Sequence, residues 1–497
     1  MSGEPANKGV PVSGEVRTRI APAPSGDLHV GNVRTALFSW AFARRHQGHF
    51  LLRVEDTDAS RATDEAFAAT QEILHWVGLD WDEGPGVGGP YAPYRQSERR
   101  AVYDGALARL EASGHAYRAY STAEELAARK AAAVAQGAKP TPGYDGYDRD
   151  LTDAQRAAYA AAGRPYVLRF RMPAGSTTFT DLVRGEITID HRQIPDFALT
   201  RSDGSPLYVL AAAVDDMAMR LTHIVRGEDL LAATPRQLAL YEALDYPRER
   251  WPQFAHLPLI VADDGKPLSK RNGEVSLRWY RDHGFLPAAM LNYLALLGWS
   301  LAPDRELFSV EEMVAAFDLA RVSRNPARFD LKKLEAINGE KIRAMAEEEL
   351  GEQLRPWLQA AGYAVDPAVL RAGVPLVQSR MVRLTEAPTL LGFLLVPENE
   401  FRLVDADLLT ADSEAPLQAS RDALAGLPAW ASDPIEQALR VALVEGLGLK
   451  PRRAFGPVRV AVTGRRISPP LFESIELLGR DRTLGRLDGA LAEVRGR

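Results

Sequence analysis

The stretch that decides the fold is residues 16–54, which read VRTRIAPAPSGDLHVGNVRTALFSWAFARRHQGHFLLRV. Its first five residues alternate apolar and polar side chains and predict a β-strand. Residues 21–27 contain two prolines and a glycine and predict a loop. The spacing of Val33, Leu37 and Trp40 predicts a helix, and the apolar end of the stretch predicts a second, buried strand. Strand, loop, helix and strand form a βαβ unit, so the predicted fold class is α/β.

The composition is that of an ordinary soluble protein, since 46% of the 497 residues are hydrophobic and 25% are charged. No apolar run is long enough to span a membrane, and residues 1–15 lack the apolar core of a secretory signal. We therefore expect a disordered tail on a cytoplasmic protein with no membrane partner. There is no cysteine, which excludes disulfides, thiol nucleophiles and thiolate zinc sites. The nine histidines form no ligand pair at helical spacing, so no zinc is expected.

The net charge of −6 is unfavourable for a nucleic-acid binder, but phosphate contacts need only a local basic patch. Residues 450–497 carry eleven Lys and Arg side chains against five Asp and Glu, an excess of six positive charges. This basic segment permits an RNA partner. The alternative is a solvated helical surface with no ligand.

Changes of pattern along the chain predict several domains, because the chain is too long for one hydrophobic core. A Rossmann-like domain is expected at residues 16–102 and 209–262, with an α+β module inserted at 103–208. A connecting region with a basic loop is expected at 263–325, and a mostly α-helical C-terminal half at 326–497.

Local periodicity predicts the individual elements. Beyond the first βαβ unit, the predicted helices are residues 63–77, 123–135, 287–297, 310–317 and 347–361. The predicted strands are residues 166–171, 177–183, 186–189, 207–214 and 221–225.

The loop around His29 lies where the first strand passes into its helix, at the edge of the sheet where ligands bind in α/β folds. The helix N-terminus suits a phosphate group, and His29 can donate a hydrogen bond to an α-phosphate whose charge grows during displacement. Gly31 lacks the Cβ that would keep a nucleotide away from the backbone. The alternative is that His29 merely caps the helix.

A second loop, residues 265–271 with the sequence GKPLSKR, is small, polar and cationic. Lysine ammonium groups suit a pyrophosphate leaving group because they neutralise its developing charge. Taken alone, a basic loop of this kind is usually a solvated surface. A His-Gly loop after the first strand and an LSKR loop after the last strand together resemble the two-part signature of class I aminoacyl-tRNA synthetases.

The resemblance extends along the chain from about residue 16 to the C-terminus. Residues 19–31 resemble the opening signature of the glutamyl-tRNA synthetase family. Further similar stretches are RVEDTD at 53–58, YRQSER at 94–99, VRGEDLL at 225–231, NYLALLGW at 292–299 and, more weakly, SPPLFES at 468–474.

This resemblance implies a two-step reaction with ATP and Mg²⁺, in which L-glutamate is activated as glutamyl-adenylate and then transferred to the 3′ end of tRNA(Glu). It implies catalysis by the Rossmann-like domain, acceptor binding by module 103–208, stem contacts by region 263–325 and anticodon binding by residues 326–497. It also implies a monomer. Glutaminyl relatives end in β-barrels, whereas the C-terminal half here has helical patterns.

The same resemblance assigns roles to individual residues. The implied catalytic residues are His29 and Lys270. The implied ATP-binding residues are His29, Gly31, Asn32, Glu228 and Lys270. The implied glutamate-binding residues are Arg19, Ala21, Glu55, Tyr208 and Arg226. The implied tRNA-binding residues are Arg380, Arg452 and Arg453. Purely structural alternatives are a buried Arg–Glu pair in the sheet, a solvated acid at Glu228 and a surface salt bridge at Arg380.

The sequence departs from the family pattern at three positions. Ala23 stands where many relatives have Ser, and Ala212 replaces a common Asn. Pro267 occupies the place of the first lysine of the second loop, and whether Lys266 substitutes for it is open. Two functional alternatives also stay open: a non-discriminating enzyme that glutamylates tRNA(Gln) as well, and a non-catalytic tRNA-binding paralogue.

Overall fold

The computed structural model describes residues 15–24, 26–58, 62–137, 143–268 and 275–496. The predicted disordered tail (apart from Glu15) and the predicted catalytic Lys270 lie outside these residues. By contacts between residues the chain divides into two compact units, which are described separately. Unit 1 comprises residues 1–280 and 290–330, and unit 2 comprises residues 281–289 and 331–497.

The strands are short and lie before residue 330. They are β1 (Arg17–Ile20), β2 (His49–Leu52), β3 (Ala116–Ala119), β4 (Val167–Phe170), β5 (Ser176–Asp181), β6 (Gly185–Asp190), β7 (His223–Gly227), β8 (Gln253–Leu257), β9 (Ile260–Val261) and β10 (Ala327–Arg328).

The helices occur along the whole described chain. Up to residue 330 they are α1 (Val30–Arg45), α2 (Asp64–Trp76), α3 (Arg100–Ala112), α4 (Ala123–Ala135), α5 (Asp153–Ala161), α6 (Tyr208–Ala218), α7 (Thr234–Ala243), α8 (Leu277–Asp282), α9 (Pro287–Leu296) and α10 (Val310–Ala316). Those that follow are α11 (Leu331–Ala344), α12 (Glu347–Ala360), α13 (Pro367–Gln378), α14 (Ala387–Leu395), α15 (Glu414–Ala425), α16 (Ser432–Leu439), α17 (Pro451–Thr463), α18 (Leu471–Leu478) and α19 (Arg480–Arg495).

The predicted βαβ unit is confirmed: β1 and β2 pair in parallel, with Arg17 opposite His49, and α1 connects them. The apolar face of α1, including Val33 and Leu37, is fully buried. The turn after α1 requires glycine, since a Cβ on Gly48 would overlap the carbonyl oxygen of Val16. This close approach explains how the chain reverses tightly into β2.

A second sheet has the strand order β6-β5-β8-β7. β7 and β8 run in parallel, β5 meets β8 in parallel at Asp181 and Phe254, and β5 and β6 form an antiparallel hairpin. The amide of Thr222, just before β7, donates to the carbonyl of Arg17 at 3.0 Å, so β7 starts beside β1. Together with the mostly helical unit 2, this confirms the predicted α/β fold class with an inserted α+β module.

One predicted element is wrong. Residues 207–214 were expected to form a strand, but they lie at the start of α6. The segment is buried from Leu210 to Asp216, so it has no polar face and its periodicity cannot distinguish a buried strand from a buried helix. Its consecutive alanines favour the helix, because alanine has the highest helix propensity. The other predicted helices and strands are found within a few residues of their expected bounds.

Unit 2 is built from helices whose apolar stripes face one another, and leucines such as Leu350, Leu354 and Leu391 are buried between α12, α13 and α14. In the described ranges no helix has both the length and the apolar character needed to cross a lipid bilayer.

A buried histidine makes the stability of unit 1 depend on pH. Burial, together with a smaller effect of nearby His46, lowers the pKa of His223 to about 4. The unfolded chain therefore binds more protons than the folded chain between pH 6.5 and pH 4, so stability falls as the pH falls through this window. We expect His223 to remove about 2 kcal/mol of unfolding free energy between pH 7.5 and pH 5.

Urea unfolding followed by tryptophan fluorescence at both pH values measures this loss. In His223→Asn the side chain cannot titrate but can still contact the Thr222 hydroxyl, which lies 2.9 Å from the imidazole in the wild type. The loss between the two pH values should be smaller in this variant. Equal losses in the two proteins would contradict the prediction.

Candidate active site

A cleft of about 490 Å³ in unit 1 brings most of the predicted site residues together. It lies at the carboxyl ends of β1 and β7 and at the N-terminus of α1, where ligands bind in α/β sheets. The predicted residues that line it are Arg19, Ala21, His29, Gly31, Asn32, Glu55, Tyr208 and Arg226.

His29 forms the N-cap of α1, and its Nδ1 accepts a hydrogen bond from the amide of Gly31 at 3.2 Å. His29 therefore does cap the helix, as the structural alternative stated. Capping uses only Nδ1, so it is compatible with a role for the ring in ligand binding. A neutral imidazole that accepts at Nδ1 carries its proton on Nε2, and the exposed ring lines the cleft. Capping thus orients a donor that a phosphate oxygen could accept from.

Glycine at position 31 leaves room for the histidine ring. A Cβ at Gly31 would lie 3.1 Å from Cε1 of His29, closer than an ordinary contact, so a larger residue would require the ring to shift by a few tenths of an ångström. The absence of a side chain also leaves the first turn of α1 open to the cleft.

The described residues on either side of positions 269–274 reach the same cleft. Leu268 lines it, and the amide of Leu268 donates to Ile260 at 3.0 Å. At the other end, Val275 accepts from the amide of Val30 at 3.0 Å, and the amide of Leu277 donates to Leu28 at 3.0 Å. The described flanks of residues 269–274 therefore both lie against the first loop or the cleft wall.

Arg226 is buried at the carboxyl end of β7, and its hydrogen-bond partners are neutral. Nε donates to His256 Nε2 at 3.0 Å, Nη2 donates to Thr234 Oγ1 at 2.9 Å, and Nη1 lies 3.4 Å from the Tyr208 hydroxyl. No ion pair joins Arg226 to a carboxylate of the described residues. A guanidinium that is buried beside a cleft without a counter-ion favours an anionic ligand.

Tyr208 is the first residue of α6, and its hydroxyl lines the cleft beside Arg226. Burial raises the pKa of Tyr208, and the negative charge of Glu55 raises it further. The hydroxyl therefore stays protonated at neutral pH and can donate a hydrogen bond to a ligand.

Arg19 and Glu55 lie on the other side of the cleft, on a buried ion network. Arg53 donates to Asp216 at 2.6 Å and to Glu55 at 3.2 Å, while Arg19 Nε lies 3.7 Å from Asp216. This Nε is buried and makes no hydrogen bond to the described residues. The structural alternative was an Arg–Glu pair that stabilises the sheet. Arg53 and Glu55 form such a pair.

Glu55 is the acidic group of the cleft that lies beside Arg53. Burial raises its pKa, and the positive charges of Arg53 and Arg19 oppose this shift. An ammonium group bound beside Glu55 would favour its ionised form. The cleft thus offers cations, an anion and a hydroxyl, which complement a ligand with two carboxylates and one ammonium.

Glu228 does not line the cleft. Its Oε1 accepts from the amide of Leu259 at 2.8 Å, and its Oε2 pairs with Arg184. This clasp joins the segment after β7 to the segment after β8, and Leu259 does line the cleft. The solvated-acid alternative does not describe Glu228, because its carboxylate makes these two contacts.

The three departures from the family pattern differ in their position. Ala212 is fully buried within α6 and does not line the cleft, and neither does the exposed Ala23. Pro267 lines the cleft, whereas Lys266 is exposed and its Nζ lies 3.2 Å from Asp264.

Comparisons with known proteins give this cleft its context. A family model described as "tRNA synthetases class I (E and Q), catalytic domain" matches residues 15–336, and one described as "Anticodon binding domain" matches residues 349–491. A glutamate–tRNA ligase of Nocardioides sp. is 53% identical over 487 residues, covering 96% of this chain and 98% of the relative. The chain belongs to the glutamyl-tRNA synthetase family.

Further members support the same family. A glutamate–tRNA ligase of Mycolicibacterium gilvum is 54% identical over 480 residues, covering 95% of this chain and 97% of the relative. The crystal structure of a glutamate tRNA ligase from Elizabethkingia meningosepticum, in complex with its amino acid, has a TM-score of 0.84 and 31% identity and covers 96% of this chain and 99% of that chain. The synthetase therefore shares both its sequence and its fold with this family.

The three residues predicted to bind tRNA lie in unit 2. Arg452 and Arg453 are exposed in the first turn of α17, where positive side chains are unfavourable for the helix dipole, and they form no ion pair with a described residue. Arg380 donates to the carbonyl of Ser468 at 3.1 Å. The predicted salt-bridge alternative for Arg380 is not found within the described chain.

Several residues of the synthetase's cleft were not predicted. Buried Arg34 donates to the carbonyl of Leu297 at 2.9 Å, and burial lowers its pKa to about 10. Asp229 and Leu259 also line the cleft. Arg34 lies about one turn after Gly31 on α1, so the helical spacing in the sequence could have indicated that it faces the same cleft. Among the described residues, no group of three or more His, Asp or Glu side chains is arranged to hold a metal ion.

Proposed function

We propose that this synthetase ligates L-glutamate to tRNA(Glu) through the cleft around Arg226. The observation that carries the amino-acid assignment is the buried positive charge of Arg226, whose hydrogen-bond partners are neutral. A substrate carboxylate supplies the missing counter-charge, and a neutral amide does not. The site therefore favours glutamate over glutamine by charge.

In the first step the substrate is oriented by opposite charges. Arg226 and the Tyr208 hydroxyl bind one carboxylate, Arg19 adds a second cation, and Glu55 accepts from the ammonium group. The other carboxylate then points to the first loop. This arrangement supplies positioning, which converts the reaction of two bound substrates into an effectively unimolecular step.

ATP binds at the first loop, with its phosphates near the N-terminus of α1. A carboxylate oxygen of glutamate attacks the α-phosphorus, the bond to the bridging oxygen breaks, and pyrophosphate leaves with its electron pair. His29 donates a hydrogen bond to the charged phosphate oxygens, and Lys270 neutralises the leaving group. Asn32 lines the cleft beside them.

Mg²⁺ is proposed as the ion that accompanies ATP and neutralises charge on its phosphates. Such an ion needs only one or two protein carboxylates besides the phosphates, and Asp229 is a carboxylate that lines the cleft. In the second step a terminal ribose hydroxyl of tRNA attacks the adenylate carbonyl and AMP leaves. No side-chain nucleophile is required.

Residues 103–208, 263–325 and 326–497 are proposed to contact the acceptor end, the stem and the anticodon region of the tRNA. A monomer suffices for this assignment. The alternative of a non-discriminating enzyme is tested by charging purified tRNA(Glu) and tRNA(Gln) separately. Charging of tRNA(Glu) alone supports the proposal, whereas comparable charging of tRNA(Gln) would replace it with the relaxed form.

Arg452 and Arg453 provide a test of the tRNA surface. In the double variant Arg452→Gln/Arg453→Gln we expect a higher KM for tRNA and a shallower salt dependence. The log–log slope should fall by about one unit for each phosphate that the variant no longer neutralises. Aminoacylation at several salt concentrations measures both quantities.

The matched control is Arg495→Gln, since Arg495 is also an arginine of unit 2 but pairs with Glu414 at 2.7 Å. It should leave the KM for tRNA unchanged. An unchanged salt slope in the double variant would remove Arg452 and Arg453 from the proposed surface.

A further inference from the structure

Arg226 is held by a chain of buried groups that extends away from the cleft. Its Nε donates to Nε2 of His256 at 3.0 Å, and Nδ1 of His256 lies 2.6 Å from Oδ2 of Asp181. His256 lies in β8 and Asp181 ends β5, so three neighbouring strands each contribute one member. Asp181 and His256 have no solvent exposure, and neither lines the cleft.

The chemistry of arginine fixes the direction of every hydrogen bond in this chain. A guanidinium only donates, so Nε2 of His256 must accept. The neutral imidazole therefore carries its proton on Nδ1 and donates it to Asp181. Burial lowers the pKa of His256 although Asp181 opposes this shift, which agrees with a neutral ring.

Asp181 is itself held rigidly by the backbone. Its Oδ1 accepts from the amides of Val183 at 3.0 Å and Arg184 at 2.8 Å, and the amide of His256 donates to both of its oxygens. Burial alone would raise the pKa of Asp181, but the contacts with His256 and these amides lower it. The hydrogen-bonded series from Asp181 through His256 to Arg226 thus begins at a carboxylate that stays ionised and is fixed by main-chain donors.

We propose that Asp181 and His256 are positioning residues that aim the guanidinium of Arg226 at the substrate carboxylate. The inference rests on the proposed function, because it assigns the residues that orient the proposed carboxylate-binding group. The imidazole occupies Nε of Arg226 without neutralising it, whereas a carboxylate in direct contact would compete with the substrate. Arg53 illustrates that other case, since it pairs with Asp216 at 2.6 Å.

The Asp181→Asn variant tests the directions of the hydrogen bonds that link Asp181, His256 and Arg226, and it hardly changes the side-chain volume. The amide oxygen can keep the backbone contacts of Oδ1, while the amide nitrogen faces Nδ1 of His256 as a donor. The imidazole then carries its proton on Nε2, directly against the N–H of Arg226. We expect the KM for glutamate in aminoacylation to rise about tenfold or more, with the KM for ATP unchanged.

Two substitutions of His256 separate positioning from packing. A glutamine amide reaches as far as Nε2 and can still accept from Arg226, whereas an asparagine amide reaches only Nδ1 and contacts Asp181. His256→Gln should therefore retain a lower KM for glutamate than His256→Asn. The opposite order, or equal increases in the KM for glutamate and for ATP, would overturn the proposal.

The control is Glu83→Gln, another buried carboxylate changed to an amide in the same unit. Glu83 pairs with Arg17 at 2.7 Å and does not line the cleft. It should lower the melting temperature and leave the KM for glutamate unchanged. If Asp181→Asn does not fold, the comparison of the two His256 variants decides the proposal.

Aminoacylation by the wild-type enzyme distinguishes failure of the proposed function from failure of the positioning role. If the wild-type enzyme charges no tRNA with glutamate, the proposed function fails. If the wild type does so and Asp181→Asn has a wild-type KM for glutamate, only the positioning role is overturned.

Discussion

Arg226→Gln is expected to lose glutamate charging while the protein stays folded. Removing one partner of a buried charge contact should lower kcat/KM for glutamate by roughly 10²- to 10³-fold. The melting temperature should hardly change, because the substitution also removes a buried charge that has no counter-ion in the described part of the free protein. Aminoacylation kinetics and a thermal melt of the same preparation measure both effects.

Arg17→Gln is the matched control for this prediction. Arg17 is also a buried arginine of unit 1, but it pairs with Glu83 at 2.7 Å outside the cleft. Its loss should cost about 3–5 kcal/mol of stability and leave the KM for glutamate unchanged. The account of Arg226 would be contradicted if Arg226→Gln retained charging, or if it lost charging only together with its fold.

Lys270→Ala is expected to lower kcat by about 10²- to 10³-fold, the usual effect of removing a group that stabilises charge in the transition state. Leu268 and Val275, the nearest described residues before and after Lys270 in the sequence, both line the cleft. Aminoacylation at saturating glutamate, ATP and tRNA measures kcat directly.

Lys266→Ala is the control within the same loop. The Lys266 side chain is 81% exposed, its Nζ lies 3.2 Å from Asp264, and it is not among the described residues that line the cleft. We expect less than a twofold effect. A loss as large as that of Lys270→Ala would show that Lys266 does replace the first lysine of the second loop.

The parts of the site that local rules could predict are those written contiguously in the sequence, whereas Glu55, Tyr208 and Arg226 were predicted through the family resemblance. Residues 19–31 contain the strand, the loop and the helix start, so local rules place Arg19, His29 and Gly31 at one edge of the sheet. The βαβ unit followed from the same stretch for the same reason.

The parts that could not be predicted depend on distant residues or on burial. Asp181 and His256 are 75 positions apart, and only the pairing of β5 with β8 brings them together. The contacts of the Glu228 carboxylate with Arg184 and Leu259 are likewise indicated by no local pattern. The segment 207–214 was mistaken for a strand because a fully buried helix has no amphipathic period.

The measurement that tests the central claim most directly is amino-acid-dependent exchange of pyrophosphate into ATP, made with each amino acid, with and without total tRNA. The account predicts exchange with glutamate and with no other amino acid, and exchange that depended on tRNA would indicate a site completed by it. Exchange with glutamine instead of glutamate would contradict the carboxylate-binding role of Arg226. If no exchange were observed under any condition, the remaining interpretation would be a tRNA-binding protein without this activity.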